Sequence, residues 1–233
     1  LEFLVGLTPL LALHLQLLGA RFATRSLLEV YLGANAARRV LAGEFRRGTG
    51  SELDAALWFC DMRGFTALSD RLPARAVVGI LDRYFEHVAA PIEERGGEVL
   101  KFIGDATLAV FPIDEAGAAS ACRRALEAAR AVLARIAAWS CEEAGPIEIG
   151  VALHAGHVLY GNIGGCERLD FTVIGASVNE LCRVESMCKV LGEPLLMTAA
   201  FATALEDPDV VSLGRFELKG VAQAQEILTT RSR

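Results

Sequence analysis

The six cysteines of this chain, Cys60, Cys122, Cys141, Cys166, Cys182 and Cys188, form no CxxC pair, which excludes a CxxC redox or metal motif. Several of them fall inside apolar helix or strand patterns, the pattern of reduced, intracellular thiols that pack as small hydrophobes. No cluster of Lys and Arg is interleaved with aromatics, and the net charge is −6 with both signs interspersed. Nucleic acid is thereby excluded as the expected partner. Clean apolar runs are also missing. Leu1 to Ala20 is leucine-rich, but Glu2, Pro9, His14 and Gln16 interrupt it, and a membrane helix needs ~20 predominantly apolar residues. This segment is expected to be a partner-packing or dimerising helix, with the tail of a membrane segment or sensor domain as the alternative. No basic stretch precedes it within the sequence, so a signal peptide is not the expected reading. There is no internal repeat and no low-complexity tract. The first residue is Leu, not Met, which suggests that a regulatory or sensor part lies upstream.

What is present suits one domain of about 180 residues plus an extension. Ser26 to Phe45 has apolar positions at helical spacing, weakened by Gly33 and Gly43, and predicts one or two helices. The polar, Gly-rich Arg46 to Glu52 marks the entry to the main domain. Residues 1–48 are thus read as a helical connecting segment and 49–233 as the functional domain. Within the latter, Asp54 to Asp61 predicts a strand and Pro73 to Arg95 a helix. Glu98 to Ile103 and Ala106 to Phe111 predict a hairpin around Gly104-Asp105. A long helix is expected from Glu115 to Ser140, followed by strands at Ile147 to His154 and Val158 to Ile163 separated by Ala155-Gly156. Then come a strand at Asp170 to Ile174, a helix at Ser177 to Lys189, a short segment Pro194 to Met197 and two closing strands near Val210 to Leu218 and Gln225 to Thr229.

Strand, helix, hairpin, helix, strand is the split βαββαβ order, so the fold class is α+β with a ferredoxin-like core and added C-terminal elements. In that topology the first strand lies beside the third, which brings the end carrying Asp61 next to the turn carrying Asp105. Two carboxylates side by side repel unless a cation lies between them. Mg²⁺ takes one or two carboxylates together with water and substrate phosphates. After Asp61, the turn Met62-Arg63-Gly64-Phe65-Thr66 offers successive backbone N–H groups near a helix start, where phosphate oxygens are favoured. Asn179 and Arg183 are spaced i,i+4 on the helix entered from Gly175, so an amide and a guanidinium can converge on one anion. Arg183 could equally be a surface residue paired with Glu180 or Glu185. His154 and His157 are expected to serve packing and hydrogen bonding.

Five stretches, WFCDMRGFTALSD (58–70), GGEVLKFIGDATLAVF (96–111), VALHAGHVLYGNIG (151–164), DFTVIGASVNELCRVE (170–185) and FELKG (216–220), resemble in order the class III nucleotidyl cyclase catalytic domain. The resemblance implies a homodimer with active sites at the interface. In one chain Asp61 and Asp105, assisted by the Met62 carbonyl, hold two Mg²⁺ or Mn²⁺ ions. The other chain supplies Lys101 and Thr172 to read the adenine of ATP, Asn179 to orient the ribose and Arg183 for the transition state, and Lys219 meets the triphosphate. Phe65 and Thr66 fall in the phosphate turn. The implied product is cyclic AMP, since guanylate cyclases of the family typically carry Glu and Cys where Lys101 and Thr172 stand. Thr172 resembles the subgroup often linked to bicarbonate response. A catalytically silent nucleotide-binding module and a guanylate cyclase are the alternatives. A diguanylate cyclase shares the split plan, but GGEVLKFIGD lacks that family's GG[DE]EF signature. Two positions depart from the pattern: Gly150, where some members carry Arg, and Ala176, where Asp is common. A cytoplasmic catalytic domain is expected, with an upstream region that could be membrane-linked.

Overall fold

A computed structural model describes residues 2–141, 143–165, 168–221 and 223–231, with side chains from residue 7 onward. Cys166 lies outside the described residues, and the other five cysteines are free thiols. The chain divides into two compact units, Leu1–Thr49 with Asn162–Phe171, and Gly50–Gly161 with Thr172–Arg233.

In the first unit, α1 (Glu2–Leu32) and α2 (Ala34–Leu41) are separated only by Gly33, whose φ is +82°. The leucine-rich stretch and the start of the Ser26–Phe45 pattern are therefore one helix, which continues through Pro9. Apolar residues all round α1, among them Leu10, Leu13, Phe22, Val30 and Tyr31, are exposed. No helix of the described residues is long and apolar enough to cross a membrane. Ala36 and Ala37 of α2 are buried, and Arg39 lies over the Phe171 ring, 5.8 Å from its centroid. The Asn162 amide donates to the Glu44 carbonyl at 2.7 Å.

The second unit follows the split order: β1 (Gly50–Met62), α3 (Phe65–Arg71), α4 (Ala74–Glu94), β2 (Glu98–Ile103), β3 (Ala106–Pro112), α5 (Gly117–Ala138) and β4 (Ile149–Gly164). Then come β5 (Leu169–Ile174), whose residues to Phe171 belong with the end of β4 to the first unit, and α6 (Ala176–Leu191), β6 (Leu195–Thr198), α7 (Ala199–Leu205), β7 (Val210–Phe216) and β8 (Gln225–Thr230). The sheet order is β2-β3-β1-β4-β6-β8-β7, with β5 paired to β4. Its first four strands have the ferredoxin-like arrangement that the split order predicts.

The sheet is covered on both faces. Ala56, Trp58, Cys60 and Met62 of β1 join Ala109 and Phe111 of β3 in a core closed by Tyr84, Val88 and Ile92 of α4, Ala125 and Val132 of α5, and Phe201 and Leu205 of α7. By the two-residue period, Ala55, Leu57, Phe59 and Asp61 face the other way. On that second face α6 packs, burying Leu181, Val184 and Cys188.

Close approach explains Gly97. A Cβ there would fall 2.6 Å from Phe111 Cζ and 2.7 Å from Ile92 Cγ2, both fully buried. Gly97→Ala is expected to lower stability by about 1–3 kcal/mol through overpacking, measured as a lower urea midpoint with an unchanged m-value.

Two expectations are corrected. The strands predicted on either side of Ala155-Gly156 are one continuous strand, β4. Gly156 does not break it; a Cβ there would overlap the Ser177 hydroxyl and lie 2.6 Å from His154 Nε2, so the glycine admits α6 close to the sheet. A helix not predicted, α7, begins where the Thr198 hydroxyl accepts a hydrogen bond from the Phe201 N–H at 3.3 Å, as an N-cap threonine does.

Candidate active site

The register of three strands builds the carboxylate pair. β1 is antiparallel to both β3 and β4, with Cys60 opposite Thr107 and Asp61 opposite Gly150. Ile103 pairs with Ala106, leaving Gly104 and Asp105 as a two-residue turn. Gly104 has φ +65°, which a two-residue hairpin turn with a positive first position favours. Asp105 is thus one residue beyond the β3 position next to Asp61, which sets the two carboxyl groups at the same end of the sheet, near enough to act on each other. Burial, then the hydrogen bond and charge of Asp105, push the Asp61 carboxyl up to about 6, against the Met62 N–H that favours its ionised form. Side by side, the two carboxylates favour a shared proton or a cation between them.

A third carboxylate, Glu185, belongs to this pole rather than only to an ion pair along α6 with Arg183. A Cβ at position 150 would lie 2.6 Å from Glu185 Oε1 and 2.9 Å from Cys188 Cβ. The Glu185 side chain therefore fills the volume that a residue larger than glycine would claim beside Asp61. Its carboxyl is pushed up to about 7, first by burial and then by the charge of Asp61, with Arg63 opposing and Asp105 adding. Arg63 is held in place. Its Nη2 donates to the carbonyls of Cys188 at 3.2 Å and Glu193 at 2.8 Å, and so caps the C-terminal end of α6. Glu180, the other proposed partner of Arg183, instead lies 3.8 Å from His154 Nδ1.

The predicted nucleotide residues are distributed over the same unit. Phe65 begins α3 and packs on the core, while Thr66 is exposed. Asn179 and Arg183 are both exposed on α6, Lys219 is exposed after β7, Thr172 is buried on β5 and Lys101 is half-buried on β2. The placement of Lys101 depends on a bulge. Val99 pairs with Ala109 but Lys101 pairs with Leu108, leaving Leu100 as the extra residue. Lys101 consequently lies on the face opposite Val99, the face on which α6 packs. Phe102 returns to the α4 side and stacks on Phe85 with ring centroids 4.1 Å apart. His154, buried, meets Thr198 Oγ1 at 3.0 Å, and His157 meets Asp54 Oδ1 at 2.8 Å. Ala176 is exposed at the start of α6, and nothing in the structure turns on its identity.

Among the described residues no three His, Cys, Asp or Glu side chains converge as a metal cage. The donor set fits Mg²⁺ or Mn²⁺ nonetheless, because such ions are commonly held by one or two carboxylates, with water and phosphate completing the shell.

Comparison with known proteins gives a consistent picture. The profile of the adenylate and guanylate cyclase catalytic domain matches residues 51–230. The chain is 31% identical over 171 residues to an adenylate cyclase of Anabaena cylindrica, covering 71% of this chain and 34% of that protein. Among solved structures, a bacterial light-regulated adenylyl cyclase superposes with TM-score 0.78 at 25% identity, covering 97% of this chain and 65% of the other. The guanylate cyclase domain of RhGC from Catenaria anguillulae in complex with GTP shares the fold, with TM-score 0.68 at 20% identity over 78% of this chain and 100% of that one. The chain spans 26% to 34% of the length of the curated relatives it matches.

Proposed function

We propose that this chain, which belongs to the adenylate and guanylate cyclase catalytic-domain family, converts ATP to 3′,5′-cyclic AMP and pyrophosphate at sites shared between two copies. The observation that carries this reading is the approach of Asp61 to Asp105 at one end of the sheet. These carboxylates, with the Met62 carbonyl, would hold two Mg²⁺ or Mn²⁺ ions, which when bound neutralise the triphosphate and acidify the ribose 3′-hydroxyl. The 3′-oxygen bonds to the α-phosphorus, the bond to the pyrophosphate oxygen breaks, and the hydroxyl proton leaves to solvent.

The other residues orient and discriminate. The Lys101 ammonium donates to adenine N1 and the Thr172 hydroxyl accepts from the exocyclic amine. Asn179 holds the ribose, and Arg183 meets the charge that grows on the transferring phosphoryl group. Lys219 and the backbone N–H groups at Phe65 and Thr66 contact the phosphates. Sharing between chains is supported by the state of the pole itself: Arg63, the cation acting on its carboxylates, is already bound to two backbone carbonyls. With its Nη2 so engaged, Arg63 is turned toward the backbone at the end of α6, and further cations for the triphosphate are assigned to the partner copy.

The test is product analysis of purified protein with Mn²⁺ and either ATP or GTP. Cyclic AMP is expected from ATP. Cyclic GMP as the main product would overturn the base assignment, and ATP binding without turnover would point to a silent nucleotide-binding module. Lys101→Glu is expected to shift the ATP-to-GTP preference by about tenfold or more, because it replaces a donor to N1 with an acceptor.

A further inference from the structure

On α6, Glu185 lies two positions beyond Arg183 but serves the opposite direction. Its carboxylate sits over Gly150, and Gly150 is paired with Asp61. It is half-buried, and among the described residues it accepts no hydrogen bond and forms no ion pair. The charged groups that act on it are Asp61, Asp105 and Arg63, and both contacts of Arg63 Nη2 are to carbonyl oxygens. A half-buried carboxylate with nothing donating to it, facing two more carboxylates, is unfavourable by itself. The arrangement becomes favourable when donors stand between the three groups. Water bound to a divalent cation supplies them, and outer-shell acceptors of this kind orient a metal's ligands.

We propose that Glu185 is a positioning residue of the metal site formed by Asp61 and Asp105, accepting hydrogen bonds from the ions' water ligands through the opening that Gly150 leaves. It stands in the outer shell, since no third side chain completes a direct cage among the described residues. The inference rests on the metal-binding reading above and adds a role for α6. If Arg183 acts in the partner's site, one helix carries a residue for each of the two sites, and the Gly150-Glu185 contact fixes its height above the strand.

Mn²⁺ alone, titrated into the purified protein and followed by the loss of its free-ion paramagnetic resonance signal, tests this without reference to turnover. Wild type is expected to bind, and Asp105→Asn to lose binding. Glu185→Gln should weaken Mn²⁺ about tenfold. Without metal at pH 8, Glu185→Gln should show a urea midpoint equal to or above wild type, since it removes a like charge from the pole. A residue that merely supported Arg63 would give the opposite pattern: a lower metal-free midpoint and unchanged Mn²⁺ affinity. That pattern, or Mn²⁺ binding by Glu185→Gln equal to wild type while Asp105→Asn fails to bind, overturns the role of Glu185. Failure of wild type to bind Mn²⁺ overturns it together with the metal-binding reading.

Discussion

An equimolar mixture of Asp105→Ala and Arg183→Ala chains is expected to recover about a quarter of wild-type turnover, although neither chain is active alone. Random pairing makes half of the dimers mixed. In each mixed dimer one shared site carries both substitutions and the other carries neither, so half of the sites in half of the dimers are intact. The separate losses are large. Asp105→Ala removes one of two carboxylates that hold the ions, and Arg183→Ala removes the charge opposed to the transition state, which costs about 10²–10³ in kcat. If Asp105 and Arg183 served the same chain's site, every site in a mixed dimer would keep one defect and mixing would recover nothing. Measuring cyclic AMP across mixing ratios separates the two cases: shared sites give a maximum at equal amounts, and unshared sites give a flat baseline. Exposure of Arg183 on α6 and the engagement of Arg63 with backbone carbonyls both favour the maximum.

How much of this arrangement the sequence could disclose depends on whether a feature is set by neighbours along the chain or across it. The approach of Asp61 to Asp105 was legible, because split βαββαβ order makes β1 and β3 neighbours and Gly104-Asp105 marks the turn. The face occupied by Lys101 was not. Val99 and Lys101 are spaced as same-face residues, and only the bulge at Leu100 separates them. Nothing in the alternation of Glu98 to Ile103 marks that extra residue. Gly156 misled for a related reason: a glycine between apolar runs resembles a break, whereas here it permits contact with Ser177 and His154. In sequence Glu185 offers only a possible ion pair with Arg183, one of two such partners along the same helix. Its surroundings are set instead by the residue across from Asp61, and the available signal was Gly150, a departure that leaves a volume to be filled. The extent of α1 was obscured by Pro9, which removes one backbone donor without ending the helix.

Acidification from pH 6.5 to 4 is expected to cost wild type on the order of 3 kcal/mol more stability than His154→Gln. His154 is 5% exposed on β4, and burial pushes its imidazole down to about 4 from an ordinary value near 6.5. Between those two pH values the unfolded chain binds more protons at this residue than the folded chain does. Its contribution is therefore fully present above about 6.5 and lost as pH falls through about 4. Glu180, 3.8 Å from Nδ1, attracts the charged ring and works against the loss. Thr198 Oγ1 is 3.0 Å from Nδ1 and also accepts from Phe201 N–H, which ties the ring to the start of α7. Asp61 and Glu185 titrate with the opposite sign. Their folded-state values are raised, so without metal they favour the fold as pH falls. Subtracting the His154→Gln profile from that of wild type cancels their contribution, because both proteins keep them. Urea midpoints converted to stability at half-unit pH steps would show the difference open below pH 6.5 and level off near pH 4. Parallel profiles through that window would assign the acid response to other groups.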